Sequence, residues 1–225
     1  MATLGGTVKT LSDWAKELDP DGKPARIVEL LAQTNDIIPD MPFLQGNLPV
    51  GHRTTVRTGL PTVAWRLLNG GIASSKSTSA QIDEQCGMLE ALSEVDVDLA
   101  KLNGNEKSFR LNEASAFFEA MNQEMAGTLF YGNSGTAPEE YTGLSIRYSS
   151  LSAANGQNIV AGGGSGSDNC SIWLVGFGPN TVHGIYPNGS ELGLQHKDMG
   201  EQLVTVTAGV GGQRMRAFVD HYQWK

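Results

Sequence analysis

Cysteine is scarce: Cys86 and Cys170 are the only two in 225 residues. That excludes a disulfide scaffold and a Cys-based metal site, and it suits synthesis in a reducing compartment. Long apolar runs are missing as well. No stretch approaches the roughly 18 uninterrupted apolar residues of a membrane span. Met1 to Gly6 lack the apolar core of a secretory signal. Without one, Asn169-Cys170-Ser171 and Asn188-Gly189-Ser190 carry no weight as glycosylation acceptors. Positive charge is in deficit: 16 Lys plus Arg stand against 24 Asp plus Glu, a net charge of −8. A general nucleic-acid binder usually presents a basic face, so that class is disfavoured. No internal repeat of about 20–50 residues is present.

Glycine, by contrast, is abundant. The chain holds 28, with 10 in residues 1–124 and 18 in residues 125–225. Charge runs the other way, with 28 charged side chains in the first stretch and 12 in the second. The change falls near Gly132-Asn133-Ser134-Gly135. It separates a charged, partly extended first half from a Gly-punctuated, β-rich second half. With 40% apolar and 18% charged residues, the composition is that of a globular chain long enough for one large domain or two small ones.

Local patterns place the elements. Residues 10–19 read as a short helix capped by Thr10 or Ser12, and Pro24 suits the first turn of a second over Ala25 to Gln33. Prolines 39, 42 and 49 predict an extended surface segment from Ile37 to Pro49, whose Met41, Phe43 and Leu44 need a cover. Residues 50–68 read as a hairpin: Thr54 to Thr58, a turn at Gly59-Leu60-Pro61, and a return over Thr62 to Arg66. An isolated hairpin is marginal in water, so the rest of the chain or another molecule must cover it. Residues 81–102 read as a long acidic strand or ribbon. The strongest helix runs from Glu113 to Phe130, with Asn112 as cap, Gly132 as C-terminal stop and a stripe of Ala114, Phe118, Met121, Met125 and Leu129. That stripe reads as core rather than a cofactor box. Later, Ser171 to Phe177 reads as a buried strand and Thr181 to Tyr186 as another. Gln202 to Thr207 with Arg214 to Trp224 reads as a long hairpin. The chain stops in mid-strand at Lys225, and further residues are expected to follow.

Charge is segregated. From Met41 to Ile82 there are Arg53, Arg57, Arg66 and Lys76 and no acid, a net of +4. From Asp83 to Glu124, ten acids face three bases, a net of −7. Opposite fields on separate surfaces steer contacts and set register. The pattern suggests that the basic hairpin docks on the acidic region of a neighbouring copy. The alternative is that both are solvated faces, or pair within one subunit.

Catalytic constellations are weak. Ala161-Gly162-Gly163-Gly164-Ser165-Gly166-Ser167 has no following helix and no Lys-Ser/Thr pair, so its phosphate-loop signal is weak and a flexible strand connection is the favoured reading. It also misses the final glycine of a serine-hydrolase elbow. Cys170 with His183 could form a thiol–imidazole pair, against a plainer reading as a buried structural cysteine. His196-Lys197-Asp198 and Asp220-His221 show no recognised ligand spacing, and His196 reads as polar loop surface.

The order of parts nevertheless forms a pattern. Pro61-Thr62-Val63-Ala64-Trp65-Arg66-Leu67-Leu68-Asn69-Gly70-Gly71, Leu129-Phe130-Tyr131-Gly132-Asn133, Tyr141-Thr142-Gly143-Leu144 and Val182-His183-Gly184-Ile185-Tyr186-Pro187 resemble the major capsid proteins of tailed bacteriophages. The resemblance runs from about residue 10 to the end. It implies an α+β fold, the tailed-phage (Johnson-type) major capsid fold. Its parts would be an N-terminal arm over 1–44 and an extended hairpin loop over 45–78. A peripheral domain over 79–134 would carry a spine helix at 113–130. A β-rich axial domain would cover 135–200, and 201–225 would form a hairpin of the peripheral domain. Both domains are expected to use discontinuous segments. The implied function is a structural subunit that self-assembles into the icosahedral head shell enclosing DNA, without catalysis, cofactor or metal. Implied partners are copies of itself in pentamers and hexamers, scaffold or decoration proteins, and packaged DNA held without tight specific binding; no membrane is involved. The implied location is the virion, after synthesis in the host cytoplasm. Candidate inter-subunit contacts are Arg53, Arg57, Trp65, Arg66, Met41 and Phe43. Two other readings stand beside this one. A β-rich viral tail or receptor-binding module predicts a trimer with exposed aromatics, whereas here the aromatics are expected in the helix stripe and strand interiors. A hydrolase would use Ser165 or Cys170.

Overall fold

The computed structural model describes residues 8–18, 33, 35–163, 170–205 and 213–224. In chain order its elements are α1 (Leu11–Lys16), α2 (Ile37–Asp40), β1 (Phe43–Gln45), β2 (Gly51–Gly59), β3 (Thr78–Gln85), β4 (Leu89–Asp96), α3 (Val97–Ala100), α4 (Glu106–Tyr131), α5 (Leu144–Arg147), β5 (Gly184–Tyr186), β6 (Leu194–Thr205) and β7 (Arg214–Trp224). The chain divides into two units. Unit 1 takes the described residues of Met1–Asn35, Met88–Ala126 and Leu192–Lys225; unit 2 takes Asp36–Gly87 and those of Gly127–Glu191.

Unit 1 is organised by β7, the centre of a three-stranded antiparallel sheet in the order β4-β7-β6. Helix α4 lays Ala114, Phe117, Phe118 and Met121 against Tyr222, Trp224, Leu89 and Ala91. The Tyr222 ring stacks on Phe117 at 5.2 Å between centroids and meets Phe118 edge-on at 5.2 Å. A second cluster joins Val95, Val97, Ala100, Phe109 and Phe218, with Trp14 of α1 packed against it. Of the two candidate caps, Thr10 is the one used. It accepts from the Asp13 backbone while the Asp13 carboxylate accepts from the Thr10 backbone at 3.1 Å. Lys9 pairs with Glu113 on α4 and, at 2.5 Å, with Glu17. The expected second helix, Ala25 to Gln33, lies outside the described residues except for Gln33. There the Gln33 backbone N–H donates to Glu119 at 2.7 Å.

Several expectations are corrected in this unit. Helix α4 begins at Glu106, seven residues before the predicted Glu113. Asn112 lies inside it rather than capping it, because Phe109 extends the apolar stripe by another turn into the core. At about 1.5 Å per residue, its 26 residues span about 39 Å. The acidic ribbon 81–102 is two strands and a helical turn. Asp96 stops β4 by accepting from the backbones of Asp98 (2.8 Å) and Leu99 (3.3 Å), which caps α3. The late hairpin forms, and β6 reaches back to Leu194, so His196 and Asp198 sit on a strand and not in a loop.

In unit 2, β1 pairs in parallel with β5 and β2 pairs antiparallel with β3. Pro39 falls in the first turn of α2, where a missing N–H costs nothing, so Ile37–Asp40 is helical despite the expectation of an extended chain. Gly132 follows α4 without a positive φ. Its requirement is space: a Cβ there would sit 2.5 Å from the Tyr141 carbonyl oxygen. The predicted hairpin over 50–68 does not form. Gly59 lacks the positive φ of a tight hairpin turn, Pro61 offers no donor, and β2 pairs instead with β3, which starts at Thr78. Ser171 to Phe177 forms no strand either, and it is exposed at Ile172 and Leu174.

Candidate subunit-contact surface

The β2–β3 ladder is fixed at both ends and along its length. It starts with Gly51 opposite Gln85 and ends with Gly59 opposite Thr78. A Cβ on Gly51 would collide with the Glu84 carbonyl, so this strand entry needs glycine. Asn47 clamps the next-but-one residue. Its side chain accepts from the Arg53 N–H at 2.7 Å and donates to the Arg53 carbonyl at 2.8 Å. Arg53 faces Asp83 across the ladder and donates from Nε and Nη2 to both carboxylate oxygens, each at 2.6 Å. That hydrogen bonding holds the Asp83 carboxyl below its ordinary range. On β3, Glu84 receives both Arg147 donors at 2.5 Å, and Gln85 donates to the carbonyls of Pro138 (3.0 Å) and Glu140 (2.9 Å).

Beyond the ladder, residues 60–77 carry no strand or helix, and all are exposed. The Ser75 hydroxyl donates to the Thr62 carbonyl at 2.7 Å and ties the two limbs. A turn closes from the Gly70 N–H to the Leu67 carbonyl at 3.0 Å, with Asn69 in the left-handed region at φ 64°, which asparagine tolerates. Leu60, Val63, Trp65, Leu67, Leu68 and Ile72 all point into water; Trp65 is fully exposed (104%) and Leu68 93% exposed. A structureless loop of this length and apolarity is uncommon unless it serves a contact.

The six candidate contact residues separate into two groups. Arg53, Arg57, Trp65 and Arg66 lie on the ladder and loop, whereas Met41 and Phe43 are half-buried in their own chain. The Phe43 ring lies over Gly184, where a Cβ would clash with it. Arg57, Arg66 and Lys76 make no ion pair with a described residue, but Arg53 is neutralised by Asp83, so the hairpin is less basic than residues 41–82 imply. The acidic block is likewise engaged at home. Asp83, Glu84, Glu90, Asp96, Glu106, Glu113 and Glu119 all bond within the chain. Glu94, Asp98 and Glu124 are left with no side-chain bond to a described residue. The exposure of Trp65 also corrects the expectation that aromatics sit only in the helix stripe and strand interiors. Cys170 is exposed, not buried, and Ser165 lies outside the described residues.

Burial is divided unequally. Among the described residues, the buried aliphatic, methionine and aromatic side chains, from Val95 to Tyr222, all belong to unit 1, whereas unit 2 holds most of the exposed large apolar side chains.

The comparisons identify the kind of assembly. Residues 19–225 match the family model described as major capsid protein GP7. The chain belongs to that family of major capsid proteins. Its fold is similar to a chain in a cryo-EM-derived structure of bacteriophage Epsilon15, at 33% identity and a TM-score of 0.69, over 100% of this chain and 67% of that one. No curated protein matches the sequence. This capsid protein is thus a mixed helix-and-strand, shell-forming structural component of a virion that assembles with copies of itself. Neither the tail-module reading nor the hydrolase reading is favoured. No helix among the described residues is long and apolar enough to cross a membrane.

Proposed function

We propose that residues 51–85 form the arm by which one capsid subunit grips the next in a closed ring, in pentamers and hexamers of the shell. The observation that carries this reading is the fully exposed apolar loop 60–77 on a ladder locked at Arg53–Asp83. In a heterologous contact of this kind the surface that reaches out differs from the surface that receives, and such contacts build a ring when the rotation between neighbours closes. Arg57 and Arg66 orient the arm toward acids such as Asp98 and Glu124 of a neighbour, while Trp65 and its aliphatic companions supply the burial. Met41 and Phe43 support the start of the arm from within their own subunit. Under this reading unit 1 is the peripheral domain, with α4 as its spine, and unit 2 holds the extended loop and the axial domain. The protein acts without catalysis, and its net negative charge keeps packaged DNA loosely held. Scaffold or decoration proteins are further partners in the same scheme.

Arg57→Glu tests the arm. Arg57 has no ion pair with a described residue to lose, so the subunit is expected to keep its thermal midpoint. Assembly followed by light scattering should slow on the order of tenfold at low salt, and the gap should narrow at high salt. Assembly indifferent to both the substitution and ionic strength would refute the steering role.

A further inference from the structure

We infer that residues 171–175 form a second self-association surface, an open strand edge that pairs with an extended segment of a second copy. Side chains here alternate about the chain. Trp173 turns inward and packs between Phe130 (6.2 Å between centroids) and Tyr148 (6.3 Å), and Val175 is half-buried. Ile172 and Leu174 turn outward and are wholly exposed, at 97% and 102%. The inner face is therefore already seated on unit 2, which holds the segment in place with its outer face bare.

The backbone is open as well. No N–H from Ser171 to Val175 bonds a described residue, and neither does any from Val160 to Gly163. The run Ser171-Ile172-Trp173-Leu174-Val175 has the β-branched and aromatic composition of a strand, yet the isolated chain pairs it with no described strand. An extended, apolar, unpaired edge is a template for strand addition, in which main-chain hydrogen bonds supply affinity and alternate side chains supply fit.

Charge selects the occupant. Each copy carries a net −8, so two copies repel wherever their charged surfaces approach. Residues 148–190, which include this segment, contain a single Asp, Glu, Lys or Arg, namely Asp168. Identical subunits meet here with little charge repulsion, and self-assembly of this family brings them together. The inference rests on that self-assembly and not on the arm, so it stands or falls separately from the role of loop 60–77.

Hydrogen–deuterium exchange of the wild-type chain tests it without any substitution. Amides of 171–175 should exchange freely in unassembled subunits and slow at least about tenfold in shells made from this chain alone. Ile172→Glu with Leu174→Glu should lower shell yield while leaving the subunit's thermal midpoint unchanged. Equal exchange in subunits and shells would overturn the strand pairing. Protection that arises only after other virion proteins are added would overturn the choice of a second copy as the occupant.

Discussion

A subunit in which residues 60–77 are replaced by Asn-Gly is expected to fold normally and fail to form shells. Gly59 and Thr78 are already cross-strand partners, so a two-residue turn between them closes the ladder in the register it has. The deleted residues are exposed throughout and contribute nothing to the buried clusters. The thermal midpoint should therefore stay within about 2 °C of the parent. Assembly should be lost because full burial of a Leu, Val or Ile is worth about 1.5–3 kcal/mol, whereas an exposed ion pair contributes about 0.2–1 kcal/mol. The aliphatic residues and Trp65 thus outweigh Arg57 and Arg66 in affinity, and the arginines act on orientation and rate. Electron microscopy reads the result directly. Closed shells at parental yield would refute the role of the loop, and a large fall in midpoint would mean that it packs on its own subunit.

The second large effect is expected at Arg110. Asp198 on β6 lies directly opposite Asp220 on β7, and two facing carboxylates repel. Arg110 of α4 resolves the conflict by donating from Nη2 to both, at 2.8 Å each, with Nε adding a bond to Asp220 at 3.1 Å. His196 adds a contact to Asp220 at 2.8 Å and stacks on Tyr222. The Arg110 guanidinium also lies over the Phe218 ring at 4.9 Å. Hydrogen bonding to Asp220 first, and then to Asp198, raises the Arg110 pKa further above its ordinary value, and Arg110 holds Asp198 below the usual carboxylate range. Arg110→Met leaves the buried Asp220 carboxylate without its cation, which should cost about 3 kcal/mol at neutral pH, at the lower end for a broken buried pair. The pH dependence follows from the depressed Asp198. Its contribution is present above the carboxylate's unfolded pKa, near about 4, and fades as pH falls through the lower folded value. The difference between parent and variant should therefore shrink in acid. Urea denaturation at neutral and acidic pH checks this; an equal difference at both would exclude the carboxylates as the cause.

Much of unit 1 was legible in the chain. The Phe/Met stripe of α4 reports the buried layer, because its helical period marks the inner face, whereas β7 is buried at four consecutive residues, 217–220, and carries no such period. Asn112 misled because a cap residue and a mid-helix asparagine look alike until Phe109 is seen in the core. The contact surface was legible only as a composition: four bases without an acid from residue 41 to 82. That Asp83 would face Arg53 was hidden, because the pairing joins strands separated by an 18-residue loop and no nearby turn sets its register.

The sequence by itself determined the charge segregation, the helical spine, the late hairpin and the family pattern, since these depend on residues close together in the chain. Only the tertiary structure decided which strand β2 pairs with, how Arg110 comes between two carboxylates, and that Ile172, Leu174 and Trp65 face water. Periodicity says which side chains share a face. What covers that face is settled by distant segments of the chain or by another molecule.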